Sequence, residues 1–230
     1  MLGIIGAMNQ EVDRLKAEMT EVTIEERASM SFYVGKLHGK DVVIVRSGVG
    51  KVNAAVCTQI LADRYGVDKV INTGVAGSLQ AKIDIGDIVV STDALQHDVE
   101  ATVFGYAPAE IPQLGRVSFT ADEDLRKLTV VCCRQVNPEI GVHEGRVVSG
   151  DQFVSSDAVK ARLKDLFDPY CTEMEGAAIA QACWLNDIPF VIIRAISDKA
   201  DGSAQMDYDV FEAQAIEHTV RLVNALVSAI

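Results

Sequence analysis

The 230-residue sequence contains no run of 18 apolar residues, so it offers no segment long enough to form a membrane-spanning helix. The opening MLGIIGAM is apolar but has neither a basic leader region nor a cleavage site, and the expectation is a soluble, cytoplasmic protein with no membrane partner. The five cysteines (Cys57, Cys132, Cys133, Cys171, Cys183) form no CxxC pair, and their odd number in apolar surroundings fits reduced core thiols, not a disulfide framework. No Pro/Gly/Ser-rich linker, charge run, internal repeat or low-complexity stretch divides the chain, which reads as a single domain over residues 1–230. A basic patch is also missing. With 21 Lys and Arg against 33 Asp and Glu the formal net charge is −12, which argues against a nucleic-acid partner, because phosphate neutralisation needs clustered cations.

Nucleotide fingerprints are absent too. Gly3-Ile4-Ile5-Gly6 is not the GxGxxG of dinucleotide folds, and Gly48-Val49-Gly50-Lys51-Val52 lacks both the four-residue gap and the terminal Ser/Thr of a P-loop. His97 and Asp98 invite a metal reading, but no second histidine stands at ligand spacing, so no metal and no cofactor is expected.

What is present is alternation. Short β-branched runs (2–5, 32–37, 42–46, 69–72, 87–92, 141–149, 190–196) interleave with segments of helical period (9–19, 51–65, 122–134, 156–166, 174–186, 208–227). That pattern predicts an α/β fold with a central mixed, twisted sheet flanked by helices, and a chain of this size buries roughly 70 to 75% of its unfolded surface without staples. Ser155 or Ser156 is a candidate cap for the fourth helix and Asp207 for the last. The stretch 100–117 breaks the alternation with Pro108, Pro112, Gly105, Gly115, Phe104 and Tyr106; a loop that long suggests a lid or an oligomer contact.

Ligands of open α/β sheets gather at the carboxyl ends of strands, which selects the segments Gly6 to Glu11, Ser47 to Lys51, Thr73 to Ser78, Ser149 to Phe153 and Arg194 to Asp198. Each glycine-rich loop alone would pass for a tight turn. Glu173-Met174-Glu175 is read as opening a helix rich in small residues. One acid there would be dipole complementation, but two flanking a thioether suit a base or sugar with neighbouring hydroxyls. Arg194, inside the apolar run Val191 to Ile196, must be paired, and so predicts a local cluster of carboxylates.

Together, GIIGAMNQE, SGVGKVNAA, INTGVAGS, HDVEATVFGY, VVSGDQF, EMEGAAIA and RAISDKAD resemble the 5'-methylthioadenosine/S-adenosylhomocysteine nucleosidases of the purine nucleoside phosphorylase superfamily, over nearly the whole chain. The resemblance implies a nucleoside phosphorylase-like domain that hydrolyses the N-glycosidic bond of methylthioadenosine and S-adenosylhomocysteine, and of 5'-deoxyadenosine, to adenine and the ribose product, serving methionine salvage and clearance of methyl-cycle by-products. It also implies a homodimer in which a neighbour's loop completes the site.

By the same resemblance Glu11 is the base that activates water, Asp198 the proton donor to purine N7, Arg194 the group that steadies water and carboxylates, and Glu175 the holder of the ribose hydroxyls. Met174 packs on the sugar, Phe153 and the backbone of Val154 sandwich and read adenine, and Ser197 orients Asp198. Met8, Val49, Val75, Ala76, Gly77 and Tyr208 complete the substrate pocket, and Phe104 and Pro112 reach into a neighbouring subunit's pocket for the 5'-substituent. The chain departs from the family's usual pattern at Val75 and Ser78, at Gln96 before the HD pair, and at Tyr208, where phenylalanine is common.

Breaking the C1'–N9 bond creates a cationic sugar and a leaving purine anion, so one carboxyl must protonate the base while another activates water on the opposite face. Asp198 is accordingly expected to keep a proton near neutrality, above the ordinary aspartate value of about 3.9. Three rivals follow from the same residues: a phosphorylase using phosphate, an aminofutalosine nucleosidase, and a nucleoside-binding protein without catalysis; a nicotinamide-dependent redox enzyme is disfavoured by the missing fingerprint. Glu11 would repel phosphate, and Arg14 is the lone arginine near the first helix start. Simple binding has no use for an acid and a base on opposite faces.

Overall fold

The structure, a computed structural model, describes residues 1–201 and 204–230, without the side chains of residues 204–207 and 209. Along the described chain run β1 (Leu2–Gly6), α1 (Asn9–Ala17), β2 (Thr20–Arg27), β3 (Met30–Leu37), β4 (Lys40–Arg46), α2 (Lys51–Tyr65), β5 (Lys69–Ser78), β6 (Ile88–Gln96) and β7 (Phe119–Thr120). They are followed by α3 (Glu123–Val136), β8 (Val142–Ser149), α4 (Asp157–Phe167), β9 (Cys171–Glu173), α5 (Gly176–Leu185), β10 (Phe190–Asp198) and α6 (Ala204–Ala229).

The strands form one mixed sheet in the order β10-β6-β8-β9-β5-β1-β4-β3-β2, with β7 added to β6. A further parallel pairing of β10 with β5 closes β10, β6, β8, β9 and β5 into a ring, leaving β1 to β4 as an open wing. The expected α/β class with a mixed sheet and flanking helices is what the chain adopts; the ring is an addition to it.

The uninterrupted apolar runs are explained by burial on both faces. In β1, Ile5 joins a cluster with Ala54, Leu61, Ala177 and Ile179 on the side of α2 and α5, and its neighbour Ile4 joins Leu15, Val130 and Val223 on the side of α1, α3 and α6. Successive strand residues point to opposite faces, so one β-branched run serves two cores.

Seven predicted strands are present, several of them longer than read: β5 continues to Ser78, β6 to Gln96 and β10 to Asp198. Three were missed. β2 is an edge strand whose TEVTIEER is almost wholly exposed and so carries no apolar face, and β7 and β9 have only two and three residues. The helix starts need correction. Glu173 ends β9 and Glu175 is the N-cap of α5, so the acid pair precedes the helix. Ser156 is the N-cap of α4, but its side chain makes no capping bond. Asp122, read as the first residue of its helix, is the N-cap of α3 and accepts from the Leu125 amide at 2.8 Å. Because α6 begins at Ala204, Asp207 is not its cap position, and the Asp207 side chain lies outside the described residues. Residues 100–117 form an irregular excursion with one 3-10 turn at Thr102–Phe104 and a single bridge between Ile111 and Arg116.

Candidate active site

The carboxyl ends of β1, β5 and β10 lie side by side, and β5 between the other two lacks bulky side chains where the site forms. β5 runs through Gly74-Val75-Ala76-Gly77. A Cβ on Gly74 would stand 2.5 Å from Glu11 Oε1, and one on Gly77 2.7 Å from Asp198 Oδ1. These two glycines therefore make the room into which two buried carboxylates fold.

Glu11, in the first turn of α1, bends back over the loop that links it to β1. Its Oε2 accepts from the amides of Ala7 (2.6 Å) and Met8 (2.9 Å), and its Oε1 from the amide of Val75 (3.2 Å). Burial pushes its pKa above the ordinary carboxylate value, against the opposing pull of Arg194 and of those three amides. A base raised in this way is better matched to taking a proton near neutrality.

Asp198 ends β10 beyond an irregularity in register, where Ile196 pairs with Ala76 but Asp198 already pairs with Gly77. The extra residue in that step turns the carboxylate into the site. Its Oδ2 accepts from the Ser197 hydroxyl at 3.0 Å and its Oδ1 from the Ala200 amide at 2.7 Å. Both contacts fix its orientation.

Glu175 is held by the amide of Gly50, which donates to its Oε1 at 2.8 Å. Gly50 has φ 98°, a left-handed geometry that glycine adopts without strain, and this lets the β4–α2 loop present its amide. Burial, and then the charge of Glu173, push the Glu175 carboxyl up to about 8.

Behind this wall sits Arg194, almost fully buried, whose Nη2 donates to Glu173 Oε2 and to Asn72 Oδ1 and whose Nη1 donates to the Ile193 carbonyl at 3.0 Å. Its charge also faces Glu11 and Glu175, so the carboxylate cluster implied by a cation in an apolar strand is there. Glu173 is its direct partner and does a second job, accepting from the Glu175 and Gly176 amides (3.1 and 2.7 Å) at the start of α5. The Ser149 hydroxyl donates to its other oxygen.

These groups enclose a cavity of about 240 Å³. Among the predicted residues, Met8, Glu11, Val49, Val75, Ala76, Gly77, Phe153, Met174, Glu175, Ser197, Asp198 and Tyr208 all line it. Val154 lies in a small adjoining chamber. Arg194 stands outside the lining, behind the carboxylates, so within the described chain it holds acids in place and does not front the cavity. Phe104 and Pro112 do not line the cavity of their own chain, and Phe104 is 81% exposed. Sequence reasoning missed Ala7, Thr172 and Glu173 as lining residues, and Asn72 as a partner of Arg194. Glu173 had been seen only as half of an acid pair; the need of Arg194 for a partner was the signal that could have separated the two.

The departures also find places. Val75 supplies an amide to Glu11, and Ser78 turns its hydroxyl to the Gln80 carbonyl (2.9 Å). Gln96 accepts from Lys51 Nζ (3.0 Å) and donates to Gln181, outside the cavity. Tyr208 meets Phe153 edge-on with ring centroids 6.2 Å apart, and its hydroxyl lies 3.4 Å from Met8 Sδ and donates to Glu212 at 2.6 Å. Burial and Glu212 push its phenol pKa upward. Asp98 pairs with Lys51 at 2.6 Å, and no cluster of three metal-ligating side chains occurs among the described residues.

The family model described as the phosphorylase superfamily matches residues 1–228. The 5'-methylthioadenosine/S-adenosylhomocysteine nucleosidase of Staphylococcus aureus (strain JH9) is 40% identical over 231 residues, covering 99% of each chain. The chain belongs to this nucleosidase family. Among solved structures, the family member from Neisseria meningitidis in complex with methylthio-immucillin-A superposes with a TM-score of 0.95 at 40% identity, covering 100% of this chain and 99% of the other. A futalosine hydrolase mutant of Helicobacter pylori superposes with a TM-score of 0.94 at 30% identity, over 100% and 99% of the two chains. Family membership and fold thus agree with the site's stock of acids and with its apolar walls.

Proposed function

We propose that the protein is an N-glycosyl hydrolase that cleaves 5'-methylthioadenosine and S-adenosylhomocysteine, with Glu11 as base and Asp198 as acid in one cavity. The observation that carries this reading is the enclosure of Glu11, Glu175 and Asp198 around a single space walled by Met8, Phe153 and Met174. Such a space suits a nucleoside: carboxylates for the sugar and the reacting atoms, flat and soft apolar groups for the base and ribose.

In this mechanism Glu11 takes a proton from water as the water oxygen bonds to C1'. The C1'–N9 bond breaks, its electron pair passes to the purine, and Asp198 gives a proton to N7, so that water is added across the bond. Glu175 receives hydrogen bonds from the ribose hydroxyls. The carboxylates of the cluster face the cationic sugar as its charge develops, the kind of electrostatic complementarity that supplies much of an enzyme's rate. Arg194 keeps that cluster from flying apart.

Among the described lining residues there is no Lys or Arg. A phosphate dianion would meet acids without a cation to receive it, which favours water as the nucleophile. Arg14, the cation near the first helix start, is turned to an ion pair with Glu217. The relatives at 40% identity carry the methylthioadenosine/S-adenosylhomocysteine nucleosidase name, which supports the first substrate class, while the futalosine hydrolase at 30% stands level with nucleosidase structures at 30–31%.

The reading includes a homodimer. Val103 and Phe104 are 85% and 81% exposed on the 100–117 excursion, and Val52 and Leu185 are exposed beside a groove on α2 and α5. Large apolar side chains so displayed suit a protein contact. Phe104 and Pro112 then furnish an apolar wall to the neighbour's 5'-substituent pocket. A cytoplasmic location accords with five unpaired cysteines and with the lack, among the described residues, of any helix long and apolar enough to cross a membrane.

The test is incubation with methylthioadenosine with and without phosphate, with adenine and sugar products separated by chromatography. Free methylthioribose in phosphate-free buffer supports hydrolysis; a strict requirement for phosphate and a sugar 1-phosphate product would replace it with phosphorolysis.

A further inference from the structure

Thr172 is the middle residue of β9, paired with Gly77 of β5 on one side and Val148 of β8 on the other. Its side chain is 5% exposed, and its hydroxyl finds no hydrogen-bond partner among the described residues. A buried, unpaired hydroxyl is a cost that a valine of the same shape would not incur, and β-branched valine is at least as well suited to a strand. Yet the residue fronts the cavity, and it also fronts the adjoining chamber of about 30 Å³, whose other walls include Gln152, Phe153, Val154, Glu173 and Asp198. Gly77, directly across the ladder, carries no side chain to screen Thr172 from the acid, since a Cβ there would stand 2.7 Å from Asp198 Oδ1. Thr172 thus stands on the side of the site where Asp198 ends β10, and a turn about its Cα–Cβ bond would present its buried oxygen to the cavity.

We infer that Thr172 is a base-recognising residue: its hydroxyl makes a hydrogen bond to the polar edge of the bound purine. This rests on the nucleosidase reading above, and it adds a contact which that reading does not contain. A hydroxyl both donates and accepts, so it can serve a ring nitrogen or an exocyclic amino group. Phe153 lies against a face of the flat base, and a stacking contact does not fix the rotation of the base in its plane. An edge contact from a rigid strand does fix it, and it holds the base in register with the proton donor. The hydroxyl left without a partner among the described residues is then paired in the complex.

The test compares wild-type protein with Thr172→Val and Thr172→Ser, measuring kcat and KM for methylthioadenosine, the Kd of adenine and the melting temperature. Cleavage by the wild type is the control that separates this inference from the function it rests on. Thr172→Val is expected to raise the Kd of adenine and lower kcat/KM about tenfold, at a melting temperature equal to or above wild type, and Thr172→Ser to recover both to within about threefold. Unchanged adenine affinity and kcat/KM in the valine variant would overturn the inference. So would equal losses in the valine and serine variants, because the methyl group and not the hydroxyl would then be what matters.

Discussion

Replacing Glu175 by glutamine should make the protein more stable above neutral pH and less active. Burial and the neighbouring Glu173 push the Glu175 carboxyl up to about 8, whereas in the unfolded chain it titrates near 4.5. Because the folded value lies above the unfolded one, the protonated form favours the fold. The contribution is fully present below about pH 4.5, and it is lost progressively as pH rises to about 8. At about 1.4 kcal/mol per pH unit that interval sets a ceiling of roughly 5 kcal/mol, and water penetration brings the expected cost nearer 1 to 3 kcal/mol. Glutamine is neutral at every pH and keeps an oxygen for the Gly50 amide. For a chain of this size each kcal/mol moves the melting temperature by roughly 2 to 4 °C. Melting curves from pH 5 to pH 9 should show Glu175→Gln gaining about 3 °C or more over wild type at pH 8.5, with the gap closing toward pH 5. The same variant should bind the ribose hydroxyls more weakly and lose at least tenfold in kcat/KM. A gap that does not change with pH, or a glutamine variant less stable than wild type at pH 8.5, would refute the placing of an ionised, desolvated carboxylate at this position.

Gly74→Ala should place a methyl group against Glu11 Oε1, displacing the base from its three amides, with a loss of about a hundredfold in kcat and little change in adenine affinity; steady-state kinetics with adenine inhibition checks this. Arg194→Met should leave Glu173 buried without its cation and destabilise the protein by about 3 to 5 kcal/mol, measured by denaturant unfolding. Phe104→Ser should raise KM for methylthioadenosine severalfold, or shift the protein toward monomer by sedimentation; a dimer with unchanged kinetics would remove this side chain from the neighbour's pocket.

Much of this was legible in the sequence where a buried requirement leaves a local trace. An arginine inside Val191 to Ile196 had to be paired, and strands apolar on both faces had to lie in a sheet covered on both sides. The site residues came instead through resemblance, because nothing in the spacing of Glu11, Glu175 and Asp198 shows that three separate strand ends converge. What escaped had long-range causes. The ring closed by β10 and β5 depends on a pairing between residues more than a hundred positions apart, and β9 is too short to have a period. In the sequence Glu173 and Glu175 read as one helix-opening pair, but both line the cavity with different partners, Glu173 held by Arg194 and Glu175 by the Gly50 amide. The hydroxyl of Thr172 belongs to the same group, since only the assembled strands reveal that none of the described residues satisfies it.

The central claim is that Glu11 and Asp198 act as base and acid on one nucleoside, and adenine release in phosphate-free buffer by wild type, Glu11→Gln and Asp198→Asn tests it most directly. The account predicts rapid release by wild type and a loss of at least a thousandfold in kcat for each variant, with melting temperatures and adenine binding showing that both remain folded with an intact cavity. Near-wild-type release by either folded variant would contradict it.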